Sequence, residues 1–262
     1  MDLGIKGRVA LVTASSQGLG REVARSLAGE GARLVICARN EKPLADCADM
    51  LREMGAKVLA VPCDVSDEKQ ATKLVARCIE HYGTIDILVA NCGGPPPGAF
   101  LDHSMERWRE AVDLSLMSTV YLCRAAADTM IANKWGRMVL MTSISVKQPI
   151  DGLILSNSVR AATVGLGKSL ANELGQHGIL VNSVCPGYFL TGRVQSLAEK
   201  NAKATGGKPQ DLLDKWAAAN VLGRVGDPDE FGPLVAFLCS ERASYLTGAA
   251  LAIDGGLCRS LL

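Results

Sequence analysis

Residues 155 to 170 read LSNSVRAATVGLGKSL, and the first half of that stretch sets Ser156, Asn157, Ser158 and Arg160 on one helical turn. Hydroxyls grouped this way can bracket an oxygen atom or hold a water. A guanidinium beside them can grip vicinal hydroxyls or stabilise an oxyanion. The same residues also suit a plain helix start, because Ser and Asn are common N-caps and an arginine there can face solvent. Which reading holds depends on what the neighbouring elements bring to that turn.

A second candidate lies near the N-terminus. The stretch VTASSQGLG joins an apolar, β-branched run to a helical pattern over residues 18 to 30. Gly18 and Gly20 fall where the chain must turn and where the helix must approach the strand. The unpaired N–H groups at such a helix start suit a pyrophosphate, with Thr13, Ser15, Ser16, Gln17 and Leu19 completing the turn. The next apolar run ends ICARN. Folds that bind NAD(H) often place an acid here for the ribose 2′-hydroxyl, but this chain has Ala38, Arg39 and Asn40. Arg39 can clamp a 2′-phosphate, so NADP(H) is expected over NAD(H), although a solvated surface charge would look the same. Asp64, followed by Val65, ends the third run and can accept from an adenine amino group or serve only as a turn aspartate. Asn91, Cys92, Gly93 and Gly94 end the fourth, small enough for a flat ring to lie on the backbone, and Pro95, Pro96 and Pro97 stiffen the exit.

These sites need elements to carry them. Short apolar runs alternate with helical patterns along the chain: RVALVTAS, ARLVICAR, KVLAVPCDV, IDILVAN, GRMVLMTSIS, ILVNSVCPG and AALAIDGG. Strands alternating with helices imply an α/β, doubly wound Rossmann fold, a parallel sheet with helices on both faces. One helix is expected from Met105 to Ile131 and another over 230 to 248. No Pro/Gly/Ser-rich linker divides residues 1 to 262, so a single domain is expected. Residues 190 to 222 are charged and carry no strand pattern; they read as a surface excursion, either a lid over the crevice or a decorated helix pair.

Composition narrows the function. With 28 Lys and Arg against 27 Asp and Glu, the net charge is +1, which offers neither a nucleic-acid surface nor a polybasic membrane patch. His81, His103 and His177 show no metal-ligand spacing, and no metal is expected. The nine cysteines form no CxxC pairs and read as small buried hydrophobes in a reducing compartment. No signal-peptide core or membrane-length apolar run is visible, so a cytoplasmic location is expected.

Taken together, the motifs resemble the short-chain dehydrogenase/reductase superfamily nearly end to end. Thr13 to Gly20 resembles its TGxxxGxG, Asn91-Cys92-Gly93 its NNAG, Pro186 to Thr191 its PGxxxT, and DGG lies near the C-terminus. The resemblance implies a seven-stranded parallel sheet and a homotetramer built on the helices after strands four and five. It adds Pro186, Gly187 and Thr191 to the cofactor site. It also implies an active site of Asn, Ser, Tyr and Lys, the last two spaced YxxxK. Carried onto this chain, those positions are Ser115, Ser143, Ser156 and Arg160, so only the serine is kept. Ala14 and Ala90 depart from the glycine and asparagine that open their motifs. The alanine costs about 1–2 kcal/mol if its backbone is left-handed.

Such enzymes move a hydride between a nicotinamide and a carbonyl or secondary alcohol, and the new alkoxide needs a proton. Serine is a far poorer acid than tyrosine, and a guanidinium holds its proton and cannot relay it. Three substitutes are open: a water held by Ser143 and Ser156, which is favoured, Lys147, or the phenol of Tyr188. The resulting expectation is an NADP(H)-dependent oxidoreductase acting on a small carbonyl or alcohol, by resemblance 3-oxoacyl reductase-like, with a non-standard proton donor. The alternative is a dinucleotide-binding protein without turnover, a redox sensor or partner subunit.

Overall fold

The computed structural model describes residues 1–261. The seven apolar runs become strands β1 (Val9–Val12), β2 (Arg33–Ala38), β3 (Val58–Pro62), β4 (Ile87–Ala90), β5 (Gly136–Met141), β6 (Ile179–Pro186) and β7 (Ala250–Ile253). All pair in parallel, in the order β3-β2-β1-β4-β5-β6-β7. The order reverses direction between β1 and β4, and there the carboxyl ends of the strands open a crevice between loops leaving in opposite senses.

Period-two alternation explains why the strands are apolar throughout. Ala10, Val12, Leu34 and Ile36 face one side and pack with α1 (Gly18–Gly29), α2 (Glu41–Glu53) and α9 (Phe231–Leu238) through Val23, Leu27, Leu44, Leu51, Phe231 and Val235. Val9, Leu11, Val35 and Cys37 face the other side, against α3 (Glu68–Tyr82), α5 (Ser118–Asn133) and α6 (Ile154–Leu174), through Leu74, Cys78, Leu122, Ala126 and Ala171. With both faces covered, the residues of the central strands β1, β4 and β5 are buried whichever way they point, while the edge strands β3 and β7 stay partly open. The helix ends follow local rules. Asp67 caps α3 by accepting from the Gln70 amide at 2.9 Å, and Gly83 ends the helix in a left-handed conformation.

The structure departs from the sequence reading in three places. The helix expected from Met105 to Ile131 is interrupted: α4 (Met105–Val112) passes through a π-helical turn, Asp113–Met117, into α5. An inserted residue leaves no trace in the apolar pattern, so the break was invisible. The last helix is short, ending at Leu238, because Cys239 to Leu246 fold into turns held by the Ser240 side chain on the Phe237 carbonyl (2.6 Å). Residues 190 to 222 form two helices, α7 (Gly192–Thr205) and α8 (Pro209–Ala219), packed on each other outside the two covering layers; α8 buries no residue. Among the described residues, no helix is long and apolar enough to cross a membrane.

Candidate active site

The turn from β1 to α1 is built tightly. Ala14 has φ +46°, the left-handed conformation that the family resemblance reserves for glycine. A Cβ on Gly20 would collide with the Ala14 carbonyl, so the helix comes as close to the strand as a glycine permits. Thr13 clasps β1 to β4: its hydroxyl donates to the Asn91 carbonyl (2.6 Å) and accepts from the Asn91 amide (2.8 Å). Asn91 returns a bond from Nδ2 to the Ala14 carbonyl (3.2 Å). Ser15 is fully buried, and its hydroxyl donates to the Val12 carbonyl at 2.8 Å. Thr13 and Ser15 therefore shape the turn from below, while Ser16, Gln17, Gly18 and Leu19 remain at its surface. Gln17 starts α1 with extended backbone and no side-chain cap, and no acid occupies the first turn. The opening amides are thus free for an anion.

Arg39 projects from the end of β2 with its side chain 73% exposed, tethered only loosely to Asp64 at 4.0 Å. Asp64 itself accepts from the Ser66 amide (3.0 Å) and hydroxyl (2.7 Å), and Val65 beside it is buried. Asn40 begins α2 and is exposed. Across the crevice, a Cβ on Gly18 would lie 3.6 Å from the Thr191 side chain, so the first turn and the start of α7 face each other. Thr191 caps α7, while Pro186 and Gly187 lead out of β6, with Gly187 packed on the backbone of Asp254. Uncapped amides, a close glycine and an exposed guanidinium without a nearby α1 acid fit a phosphorylated dinucleotide laid across the switch point.

At the other end of the crevice, the structure rearranges the expected catalytic set. Ser156 is 9% exposed on α6, and its Oγ lies 3.4 Å from Oγ of Ser145, not of Ser143. Ser143, half-buried after β5, caps a short helical turn by accepting from the Ser145 amide at 3.1 Å. Ser145 was missed; its only trace in the sequence is the alternation of serines in TSIS. Arg160, expected to reach out to ribose hydroxyls, is turned inward and buried. Nη1 donates to the carbonyls of Met141 and Thr142 (both 3.0 Å), and Nη2 to the Gly93 carbonyl (3.1 Å). These carbonyls sit where β4 and β5 end, and a planar guanidinium reaches several at once.

Ser115 lies inside the π turn, buried with its hydroxyl unpartnered. Its carbonyl instead accepts from Thr163 Oγ1 of α6 at 3.0 Å. Tyr188 stacks on Trp216 of α8 with ring centroids 4.5 Å apart and 14° between planes. Burial pushes its phenol above the usual tyrosine range, which makes it a weaker acid. Lys147 stands just beyond Ser143. Burial pushes the Cys185 thiol up, and the Thr142 hydroxyl and then the positive charges of Lys147 and Arg160 pull it part of the way back.

Arg193, on the first turn of α7, is a second residue that the sequence reading passed over. Its guanidinium crosses the crevice to the carbonyls of Gly94 (3.1 Å) and Pro95 (3.3 Å). Nothing distinguishes it in sequence from the other charged residues of the excursion.

Comparison with known proteins agrees with this geometry. Residues 13–258 match the family described as enoyl-(acyl carrier protein) reductase. Oxidoreductase UcpA of Salmonella typhimurium is 39% identical over 96% of this chain and 95% of its own length. L-sorbose reductase from Gluconobacter frateurii, solved with NADPH and L-sorbose, superposes with a TM-score of 0.96 at 34% identity over the whole of both chains. An actinorhodin polyketide ketoreductase solved with NADPH gives 0.93 at 33% identity, covering 97% of this chain and 98% of that one. With the strand order, the β1–α1 turn and the serine after β5 all in place, this chain belongs to the short-chain dehydrogenase/reductase superfamily of oxidoreductases.

Proposed function

We propose that the protein is an NADPH-dependent reductase of a small carbonyl compound, with a hydroxyl pair in place of the usual phenol. The observation that carries the reading is the crevice itself: an uncapped α1 start and an exposed Arg39 at one end, and the Ser145–Ser156 pair 3.4 Å apart at the other. The NADPH-bound reductases among its structural relatives support the same cofactor. NADPH, when bound, supplies the hydride. Ser156 holds the substrate oxygen, and Ser145 orients the Ser156 hydroxyl. A water kept between Ser156 and the half-buried Ser143 provides the proton. Arg160 fixes the loops that form the pocket floor. Tyr188 belongs to packing, and α7 with α8 forms a lid across the crevice.

Supporting features also favour a homotetramer. Phe100, Leu101 and Met105 are exposed apolar side chains at the start of α4, beside the groove of Trp108 and Val112. All nine cysteines are free, which supports a cytoplasmic setting.

The test is transfer of deuterium from C4-labelled NADPH to product across a panel of ketones. Stereospecific transfer is expected, falling at least tenfold in Ser143→Ala and Ser156→Ala. Arg39→Glu is expected to weaken NADPH by about 10- to 100-fold. The inward bonds of Arg160 favour a second reading, a dinucleotide sensor without turnover. That reading gains if NADPH binds but no label leaves it.

A further inference from the structure

The pocket floor holds more positive charge than its own chain neutralises. Arg160 and Arg193 come from different elements, α6 and α7, yet hold consecutive carbonyls of one loop, Gly93 and Gly94, each at 3.1 Å. Consecutive Cα atoms are about 3.8 Å apart, so both guanidiniums rest on the same short stretch of loop. Among the described residues, neither has a carboxylate within 4.0 Å, and Lys147 has none either. Asp254, near the end of β6, has both carboxylate oxygens occupied by the amides of Gly256 (3.0 Å) and Cys258 (2.7 Å). The crowding has an electrostatic signature: burial, and then the charge of Arg160, push Arg193 below the ordinary arginine range. The loop is also cut to admit the side chain, since a Cβ on Gly94 would fall 2.5 Å from Arg193 Nη2. Neutral carbonyl dipoles are weaker partners for a guanidinium than a carboxylate is. Arg52, Arg107 and Arg224, for comparison, each sit 2.7–2.8 Å from a carboxylate.

We propose that Arg193 is the recognition residue for an anionic substrate, swinging from the Gly94 and Pro95 carbonyls to a carboxylate one or two bonds from the reacting carbonyl. The substrate class is therefore a 2-oxo or 3-oxo carboxylate. This rests on the reductase reading above. In the reaction, hydride from NADPH forms a C–H bond at the carbonyl carbon. The C=O π pair moves onto oxygen, which takes a proton from a water, and the hydroxide left is reprotonated from bulk solvent, so the turnover consumes one solvent proton. NADPH is oxidised to NADP+, and the oxo acid is reduced to a hydroxy acid. Arg193 sits on the lid, so the substrate's charge would itself draw α7 over the crevice.

The experiment compares 2-oxobutanoate and acetoacetate with their ethyl esters. The acids are expected to exceed the esters in kcat/KM by roughly 100-fold, as a desolvated charge-assisted pair allows. Arg193→Met should collapse that ratio toward one, and Arg193→Lys should restore part of it. Equal use of acid and ester by the native protein, or a ratio unmoved by Arg193→Met, overturns the proposal. Calorimetry of the NADP+ complex with oxamate and with its neutral amide, oxamide, reads the site without turnover. Binding of oxamate alone, lost in Arg193→Met, supports it; equal behaviour of the two compounds overturns it. If NADPH binds and no ketone is reduced, the reductase reading fails while the oxamate titration still decides the anion site.

Discussion

Ala14 carries a side chain in a backbone conformation, φ +46°, that an L-residue enters at a cost of about 1–2 kcal/mol. The Thr13–Asn91 clasp and the Asn91 bond to its carbonyl hold it there. Ala14→Gly should relieve the strain and raise the melting temperature by about 2–4 °C, read by calorimetry, although the glycine gives back some stability through a freer unfolded chain. Tyr188 makes the opposite kind of statement. Its ring stacks on Trp216 and burial raises its phenol above the usual tyrosine range, which supports the proposal that it packs and does not donate the proton. Tyr188→Phe should keep kcat within about twofold and leave the pH–rate profile unchanged, whereas loss of a general acid would cost about 10²–10⁴-fold.

Among the elements, the short turn before α9 has the clearest pH dependence. Arg224 grips Glu230 through two contacts of 2.7 Å, and the Asp227 amide adds a third bond at 2.8 Å. The guanidinium, followed by that amide, pulls the Glu230 carboxyl down to about 2. Its folded pKa lies below its unfolded value, so its stabilisation is complete above about pH 4.5 and drains away as pH falls toward 2. Urea midpoints measured from pH 6 to 2.5 should decline, and Glu230→Gln should flatten part of that decline. The pair is exposed, so the effect is small. Elements were also where sequence reading worked best and failed most instructively. Seven strands came through because burial on two faces writes long apolar runs. The π turn did not, because one extra residue in a helix changes hydrogen bonding without changing which side chains are apolar. Nor did the Ser145–Ser156 contact, because it depends on how a three-residue turn after β5 aims its hydroxyls. The motif spacing singled out Ser143, Ser156 and Arg160 but carried no information on whether the guanidinium turns outward or inward.

For the whole molecule, the exposed apolar side chains beside α4 are the feature on which the proposed homotetramer rests. Phe100, Leu101 and Met105 are 61%, 90% and 61% exposed, more than a lone chain gains by showing to water. Light scattering on the purified protein should give four chain masses, and Leu101→Glu with Met105→Lys should lower that number. A stable monomer from the native sequence would remove the tetramer from the description.

The inward turn of Arg160 bears on how such a protein can change. Its three carbonyl partners belong to the ends of two neighbouring strands, so the residue is at once an occupant of the pocket and a rivet of the sheet. A lysine at 160 brings a compact ammonium in place of a planar fork and would leave some of those oxygens stranded. Placing Tyr at 156 and Lys at 160, the pair that the family resemblance implies, would therefore change the packing of the strand ends along with the chemistry. Any new side chain at 160 has to satisfy the strand-end oxygens as well as the chemistry, so a redesign of this pocket begins with repair of its rim.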